Sequence, residues 1–207
     1  MAIISNAVTI ADAGAFSTSL GSMTHIKTLT ASGSSNLSFV HGAASVVLDN
    51  TYPIYIFKII NCHPSQQGGD GDEFSVGFRD GSTAYDAPKT STFFSSVHGE
   101  DGSGGAVAYR DSHDQHQATG FQTLAVDMDA DNDTQVSGEL TLFNPSSTTF
   151  VKHFIYRGNH VHSSAGIQDT HVAGYCNVTA AIDAVQFKMS AGNIDSGIIK
   201  LYGIKDS

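Results

Sequence analysis

Residues 52–62 read Tyr-Pro-Ile-Tyr-Ile-Phe-Lys-Ile-Ile-Asn-Cys, and this apolar run decides the fold class. Nearly every position is β-branched, aromatic or otherwise apolar, and the run ends close to Pro64. A short apolar segment of this composition, bounded by turn residues, is typical of a buried strand rather than of a helix. The sequence therefore predicts a strand at the centre of a β-sandwich.

Shorter segments with alternating apolar and polar residues recur along the rest of the chain, separated by Gly, Asn, Asp or Pro. They predict further strands at Ile3–Ile10, His25–Thr30, Leu37–Val40, Phe74–Phe78, Thr92–Val97, Val107–Arg110, Phe121–Val126, Gly138–Phe143, Phe150–Ile155, Val185–Met189 and Gly197–Ile204. About a dozen short strands at this spacing indicate a sandwich or a barrel. Three stretches are expected to be loops: Gln66–Asp72, Gly99–Gly105 and Arg157–Thr170.

The expected architecture is all-β, a single antiparallel β-sandwich of the jelly-roll type that occupies residues 1–207 as one domain. The segment of about residues 1–20 is expected to be an interaction arm. No segment of the sequence has the length and amphipathic period of a crossover helix, so a βαβ arrangement is not predicted. In the strand at 150–155 both faces are rich in apolar residues, which predicts that other parts of the protein bury both faces.

The chain is acidic, with ten Lys plus Arg against twenty Asp plus Glu and a formal net charge of -10. Nucleic acid backbones and anionic membranes both require a cationic patch, so neither is an expected partner. The start of the chain resembles no signal peptide, which predicts a soluble product made in the cytoplasm. Cys62 and Cys176 are expected to be buried thiols, with a disulfide as the open alternative.

Two groups of residues are weak candidates for a metal site. Asp127, Asp129 and Asp131 imitate the start of a calcium loop, but Asn132 stands where that loop needs glycine and Glu139 comes one position late. His160 and His162 share one face of a strand and could hold one ion together with a third ligand. For the acidic group we expect a solvated turn, and for the histidines a surface position without metal. We therefore predict no cofactor.

The sequence contains no G-x-S-x-G elbow, no phosphate-binding loop and no H-E-x-x-H motif, so no enzyme is predicted. The acidic pairs Asp70 with Asp72 and Glu100 with Asp101 lie in Gly-rich stretches and are interpreted as solvated side chains. Tyr85 and Tyr109 are weak candidates for stacking on a sugar ring, while Phe93 and Phe94 are expected to pack in the core.

The opening residues MAIISNAVTIADAGAF, followed by SLGSMTHIKTLTAS, resemble a group of small virion structural proteins of marine tailed phages, chiefly those that infect cyanobacteria. The blocks TYPIYIFKIINCHPS, GELTLFNPSSTTFVKHFI and VAGYCNVTAAIDAVQFKMSAGNIDSGIIKLYGI extend the resemblance over nearly the whole chain.

The resemblance implies a structural component of the virion that has no catalytic residues. We expect it to decorate or cement the capsid through contacts with other virion proteins, either the major capsid protein or a tail component. The alternative is a module on the tail or a fibre that binds a host surface glycan. A homo-oligomer is expected, and a trimer by analogy with other jelly rolls.

Overall fold

The computed structural model describes the backbone of residues 3–5, 8–12 and 15–16 and the complete residues 23–66 and 72–205. The described residues form sixteen β-strands. Their bounds are β1 Ile3–Ser5, β2 Val8–Asp12, β3 Ala15–Phe16, β4 Met23–Ser34, β5 Leu37–Val40, β6 Ile54–Pro64, β7 Asp72–Arg79, β8 Lys89–Gly99, β9 Gly104–Tyr109, β10 His116–Ala118, β11 Gln122–Met128, β12 Val136–Phe143, β13 Lys152–His162, β14 Gly166–Cys176, β15 Ala184–Met189 and β16 Ile194–Ile204. A single 3-10 turn at Asp111–His113 is the only helical element in these ranges.

Eight of these strands build a two-sheet sandwich. One sheet has the order β4-β16-β6-β12 and the other β5-β15-β7-β11, with antiparallel pairing throughout. Counted along the chain, the first sheet contains the first, eighth, third and sixth of the eight strands, and the second contains the second, seventh, fourth and fifth. This is the strand order of a jelly roll, so the predicted fold class is confirmed.

Two insertions widen the first sheet beyond the jelly roll. The strands β13 and β14 follow β12, and β8 with β9 and β10 lies between β7 and β11 in the chain. In space they continue the sheet as β12-β13-β14-β8, and β9 and β10 pair with β8. The two sheets meet at one corner, where Met128 of β11 pairs with His162 of β13.

The core lies between the two sheets and is dominated by aromatic side chains. Phe187 of β15 lies 5.8 Å from the ring of Phe74, 5.6 Å from Phe57 and 6.4 Å from Phe39. Phe57 belongs to β6, on the opposite sheet, so these contacts join the two layers. All four rings are fully buried, which places the predicted central strand at the centre of the fold.

Three features predicted for the loops and strand faces are wrong. The stretch Arg157–Thr170 is not a loop, because the end of β13 and the start of β14 form a tight hairpin there. The predicted loop at Gly99–Gly105 shrinks to the turn 100–103 between β8 and β9. The strand at 150–155 is not covered on both sides, since His153 and Ile155 point to solvent.

Other differences concern strand ends and single residues. The strand predicted at Ile3–Ile10 is divided into β1 and β2. The strand β10 was not predicted at all. Asp72 is fully buried, not solvated, because its Oδ1 accepts hydrogen bonds from Ser190 and from the Ala191 amide. Residues 67–71, including Asp70 and most of a predicted loop, lie outside the described residues.

Both cysteines are buried and free, as expected, and burial raises the pKa of each thiol to about 12. The one-domain organisation of residues 1–207 and the role of the N-terminal arm remain predictions. In the described part of the chain, the strands β1, β2 and β3 pair only with one another, and no helix is long and apolar enough to cross a membrane.

Candidate interaction face

The outer surface of the inserted strands carries an unusual concentration of exposed apolar side chains. Of the eight large hydrophobic residues described as exposed, five lie on this one surface of β13, β14, β8 and β9. We call this surface the aromatic face and define it by Phe94, Val107, Tyr109, Ile155, Ile167 and His171. Clustered exposed apolar side chains are uncommon on monomeric proteins and mark contact sites.

Strand register brings these residues together. Tyr109 of β9 pairs with Phe94 of β8, Phe94 pairs with His171 of β14, and His171 pairs with Arg157 of β13. Directly paired residues of neighbouring strands project from the same side of a sheet, and so do residues two apart along one strand. The row and its neighbours at Val107, Ile155 and Ile167 therefore form one continuous surface.

The aromatic rings of this face are held in place by specific contacts. The rings of Phe94 and His171 stack with centroids 4.8 Å apart and planes inclined by 5°. The Tyr109 hydroxyl donates a hydrogen bond to Oδ2 of Asp114, which follows the 3-10 turn. This hydrogen bond to a carboxylate raises the pKa of Tyr109. The Tyr109 ring is 60% exposed, and this hydrogen bond is the contact that orients it.

Charged groups within the face are already paired. Asp169 lies 3.2 Å from Nε2 of His171 and 3.4 Å from a guanidinium nitrogen of Arg157. Further along the same sheet, Lys58 donates to Glu139. A partner can thus cover the apolar residues without meeting an uncompensated charge, which lowers the desolvation cost of docking.

Shallow depressions separate the side chains of this face. One has a volume of about 450 Å³ and is lined by Thr92, His153, Ile155, Ala173 and Tyr175, among others. A second, of about 250 Å³, lies between Val107 and Ile167. Depressions lined mainly by apolar groups can receive side chains or flat rings of a partner.

The sequence-predicted aromatic candidates lie in different places. Tyr109 belongs to the aromatic face, whereas Tyr85 is half-buried and packs 6.5 Å from the ring of Phe121. Phe93 is buried as expected. The prediction of a core position for Phe94 is wrong, because Phe94 is the next residue along β8 and therefore projects from the opposite side of the sheet.

The acidic loop between β11 and β12 forms a separate pocket. Asp129, Asp131 and Asp133 line a depression of about 260 Å³ together with Glu100. Oδ1 of Asp129 accepts hydrogen bonds from the backbone amides of residues 130 and 131, as in a turn closed by an aspartate side chain. Asp127 lies apart from this pocket lining, 3.5 Å from His162. No three His, Cys, Asp or Glu side chains of the described ranges are arranged to hold a metal ion.

His160 and His162 do not form a pair on the surface. His160 is buried, and its Nε2 lies 2.6 Å from the carbonyl oxygen of Val126. Burial lowers the pKa of His160 to about 4. The expectation of a surface position is wrong for His160, because β13 turns this side of the strand toward β11.

Sequence reasoning missed most of the aromatic face. Ile155 was expected to be covered, and Ile167 and His171 were not considered as site residues. The signal was present in Ile167, Asp169 and His171, since residues of β14 alternate between outward and buried positions. The prediction of a loop at Arg157–Thr170 hid this period-two pattern.

Comparison with family models, with curated proteins and with solved structures gives no match for this chain.

Proposed function

We propose that this protein is a structural component of a tailed-phage particle that decorates or cements the capsid through protein–protein contacts. The aromatic face is the observation that carries the proposal. It offers exposed apolar residues, internally paired charges and pre-oriented rings on one side of a rigid sheet, a combination typical of recognition surfaces. The sequence resemblance to small virion structural proteins supports the same function.

The jelly-roll architecture is compatible with a role in an assembly, but it does not identify which assembly or which partner. Jelly rolls occur in capsid proteins and in carbohydrate-binding proteins, so fold alone decides neither partner nor activity. The position of the aromatic face on inserted strands is more informative. The core of the sandwich continues beneath the inserted strands, where Phe154 packs 5.0 Å from the ring of Phe78. The insertions therefore extend one sheet, and its outer surface is left for a partner to cover.

A charge placed in the aromatic face is expected to block docking on the particle. Val107→Asp and Ile155→Asp each put a carboxylate where an apolar side chain would be covered, and burial of an unpaired carboxylate is costly. We expect at least about a tenfold loss of affinity, equivalent to about 1.4 kcal/mol or more. The measurement is cosedimentation of purified protein with particles that lack it.

The matched control is Phe150→Asp, which changes another exposed ring that lies outside the aromatic face. All three variants should unfold within about 0.5 kcal/mol of the unmodified protein, because exposed positions contribute little to stability. Unchanged binding of both face variants, or an equal loss with the control, would contradict the proposal.

The second candidate function is binding of a host surface glycan by a tail- or fibre-associated module. It is favoured by the exposed ring of Tyr109, which lies in the same cross-strand row as Arg157 and His171. Aromatic rings beside hydrogen-bonding side chains are suited to sugars. Tyr109→Ala should then abolish binding to host polysaccharide, while Tyr109→Phe should retain most of it. If the protein only decorates the capsid, neither the unmodified protein nor these variants should bind host polysaccharide.

A further inference from the structure

We propose that five buried polar side chains of the inserted strands bind a small group of internal water molecules. We call these side chains the inner cluster: Ser95, Tyr156, His160, Gln168 and Thr170. Each residue is at most 1% exposed. Six of their polar atoms have no hydrogen-bond partner among the described residues, namely the three hydroxyl oxygens, Nδ1 of the histidine and both amide atoms of the glutamine. Buried polar groups are rarely left unpaired, because the lost hydrogen bonds to water are then not replaced.

Strand register brings four of these side chains together. Gln168 of β14 pairs with His160 of β13, and two residues further along β14 Thr170 pairs with Ser95 of β8. Directly paired residues of neighbouring strands project from the same side of a sheet, and so do residues two apart along one strand. All four side chains therefore project from the inner side of the sheet, opposite to the aromatic face.

Tyr156 joins the cluster because residue 158 is a glycine. Gly158 lies two residues after Tyr156 on β13 and pairs with Thr170 of β14. A Cβ atom built on Gly158 would overlap with the hydroxyl oxygen of Tyr156. The hydroxyl thus occupies the space into which a side chain at position 158 would project, and this space adjoins Thr170.

The hydrogen bond that His160 already makes determines what its ring offers to a ligand. Its Nε2 lies 2.6 Å from the carbonyl oxygen of Val126, and a carbonyl oxygen only accepts, so Nε2 carries the hydrogen. Burial lowers the pKa of His160 to about 4, so the ring is neutral near pH 7. Nδ1 then has a free lone pair, and a molecule bound there has to donate a hydrogen bond to it.

The chemistry of the inner cluster suits water. Its hydroxyl and amide groups donate and accept hydrogen bonds, whereas Nδ1 of His160 only accepts. None of the five side chains is charged near neutral pH, so an ion bound among them would meet no counter-charge in the cluster, and burial of an unpaired ion is costly. A buried water makes about three hydrogen bonds to polar groups of the protein. Six unpaired atoms therefore correspond to about two water molecules.

The bound water would connect three strands where apolar contacts are replaced by polar groups. Towards the other end of the same inner side, Phe93, Phe154 and Val172 belong to the hydrophobic core. At the inner cluster, hydrogen bonds through water would instead link β8, β13 and β14 beneath the aromatic face. This inference does not depend on the function proposed for that face.

A high-resolution crystal structure of the unmodified protein tests the proposal directly. We expect electron density for about two water molecules. One should lie within hydrogen-bond distance of His160 Nδ1 and Gln168, and the other within that distance of the Tyr156 and Thr170 hydroxyls. Direct hydrogen bonds among the five side chains, with no ordered water between them, would overturn the proposal. An ion or another ligand at this place would overturn it as well.

A second test counts the internal water molecules in solution by oxygen-17 magnetic relaxation dispersion. Thr170→Val removes one hydroxyl of the inner cluster, and we expect the number of long-lived water molecules to fall by about one. Thr92→Val is the matched control, since Thr92 is exposed on the outer side of β8 and its replacement should leave the number unchanged. Should Thr170→Val fail to fold, Tyr156→Phe removes another hydroxyl of the cluster with the same expected result. An unchanged number in a folded cluster variant would contradict the proposal.

Discussion

Replacement of Phe187 by alanine is expected to lower the free energy of unfolding by about 3–5 kcal/mol, the usual cost of removing a buried phenylalanine ring. Phe187 is fully buried and contacts Phe39, Phe57 and Phe74 from both sheets. Its removal leaves a cavity that a sandwich held by hydrogen-bonded strands cannot readily close. Urea denaturation followed by circular dichroism measures the change.

Phe150→Ala is the matched control for this experiment. Phe150 has the same side chain but is 69% exposed, in the segment that precedes β13. Its replacement should change the unfolding free energy by no more than about 0.5 kcal/mol. Equal effects of the two substitutions would mean that the aromatic cluster around Phe187 is not the core of the sandwich.

Acid is expected to destabilise the protein through His160. Its pKa is lowered to about 4, first by burial and to a smaller degree by nearby His162. The unfolded chain binds this proton at a pKa near 6.5 and the folded chain binds it only near 4. Between these values the unfolded state therefore carries more protons, and stability falls as the pH falls. The shift corresponds to about 3 kcal/mol, lost between pH 6.5 and 4.

Comparison with His160→Gln isolates this contribution from those of the many carboxylates. Glutamine keeps a donor for the carbonyl of Val126 but cannot take up a proton. As the pH is lowered from 7 to 4, the unfolding free energy of the unmodified protein should fall by more than that of His160→Gln. His153→Gln, at an exposed position of β13, should follow the unmodified protein. Parallel curves for His160→Gln and the unmodified protein would show that His160 is not buried and neutral.

The fold class could be predicted because alternation is a local property of the sequence. Leu37–Val40 was placed to the residue, and the run at 52–62 indicated a central strand because its apolar residues occupy both faces. Strand lengths were underestimated, since glycine and polar residues such as Gly158 and Asn159 continue β13 where their neighbours supply the pairing. Pairing partners stabilise such positions, and a local pattern does not reveal them.

The candidate site was less predictable than the fold. Tyr109 was identified as a candidate, but only β8 is its neighbour in both sequence and space. The other contributing strands, β13 and β14, are distant in sequence. Phe94 and His171 form a stacked pair only because β8 and β14 are adjacent in this register. Which side of β8, β13 and β14 is exposed also depends on which side of these strands packs against the rest of the fold. That information arises from topology and not from any one segment.

Localisation of the protein in purified phage particles by cryo-electron microscopy tests the proposed function most directly, with its copy number determined by quantitative mass spectrometry. We expect many copies at capsid symmetry positions, each with Phe94, Val107 and Tyr109 covered by a neighbouring protein. A few copies confined to the tail, with the aromatic face open to solvent, would contradict capsid decoration and would favour recognition of the host surface.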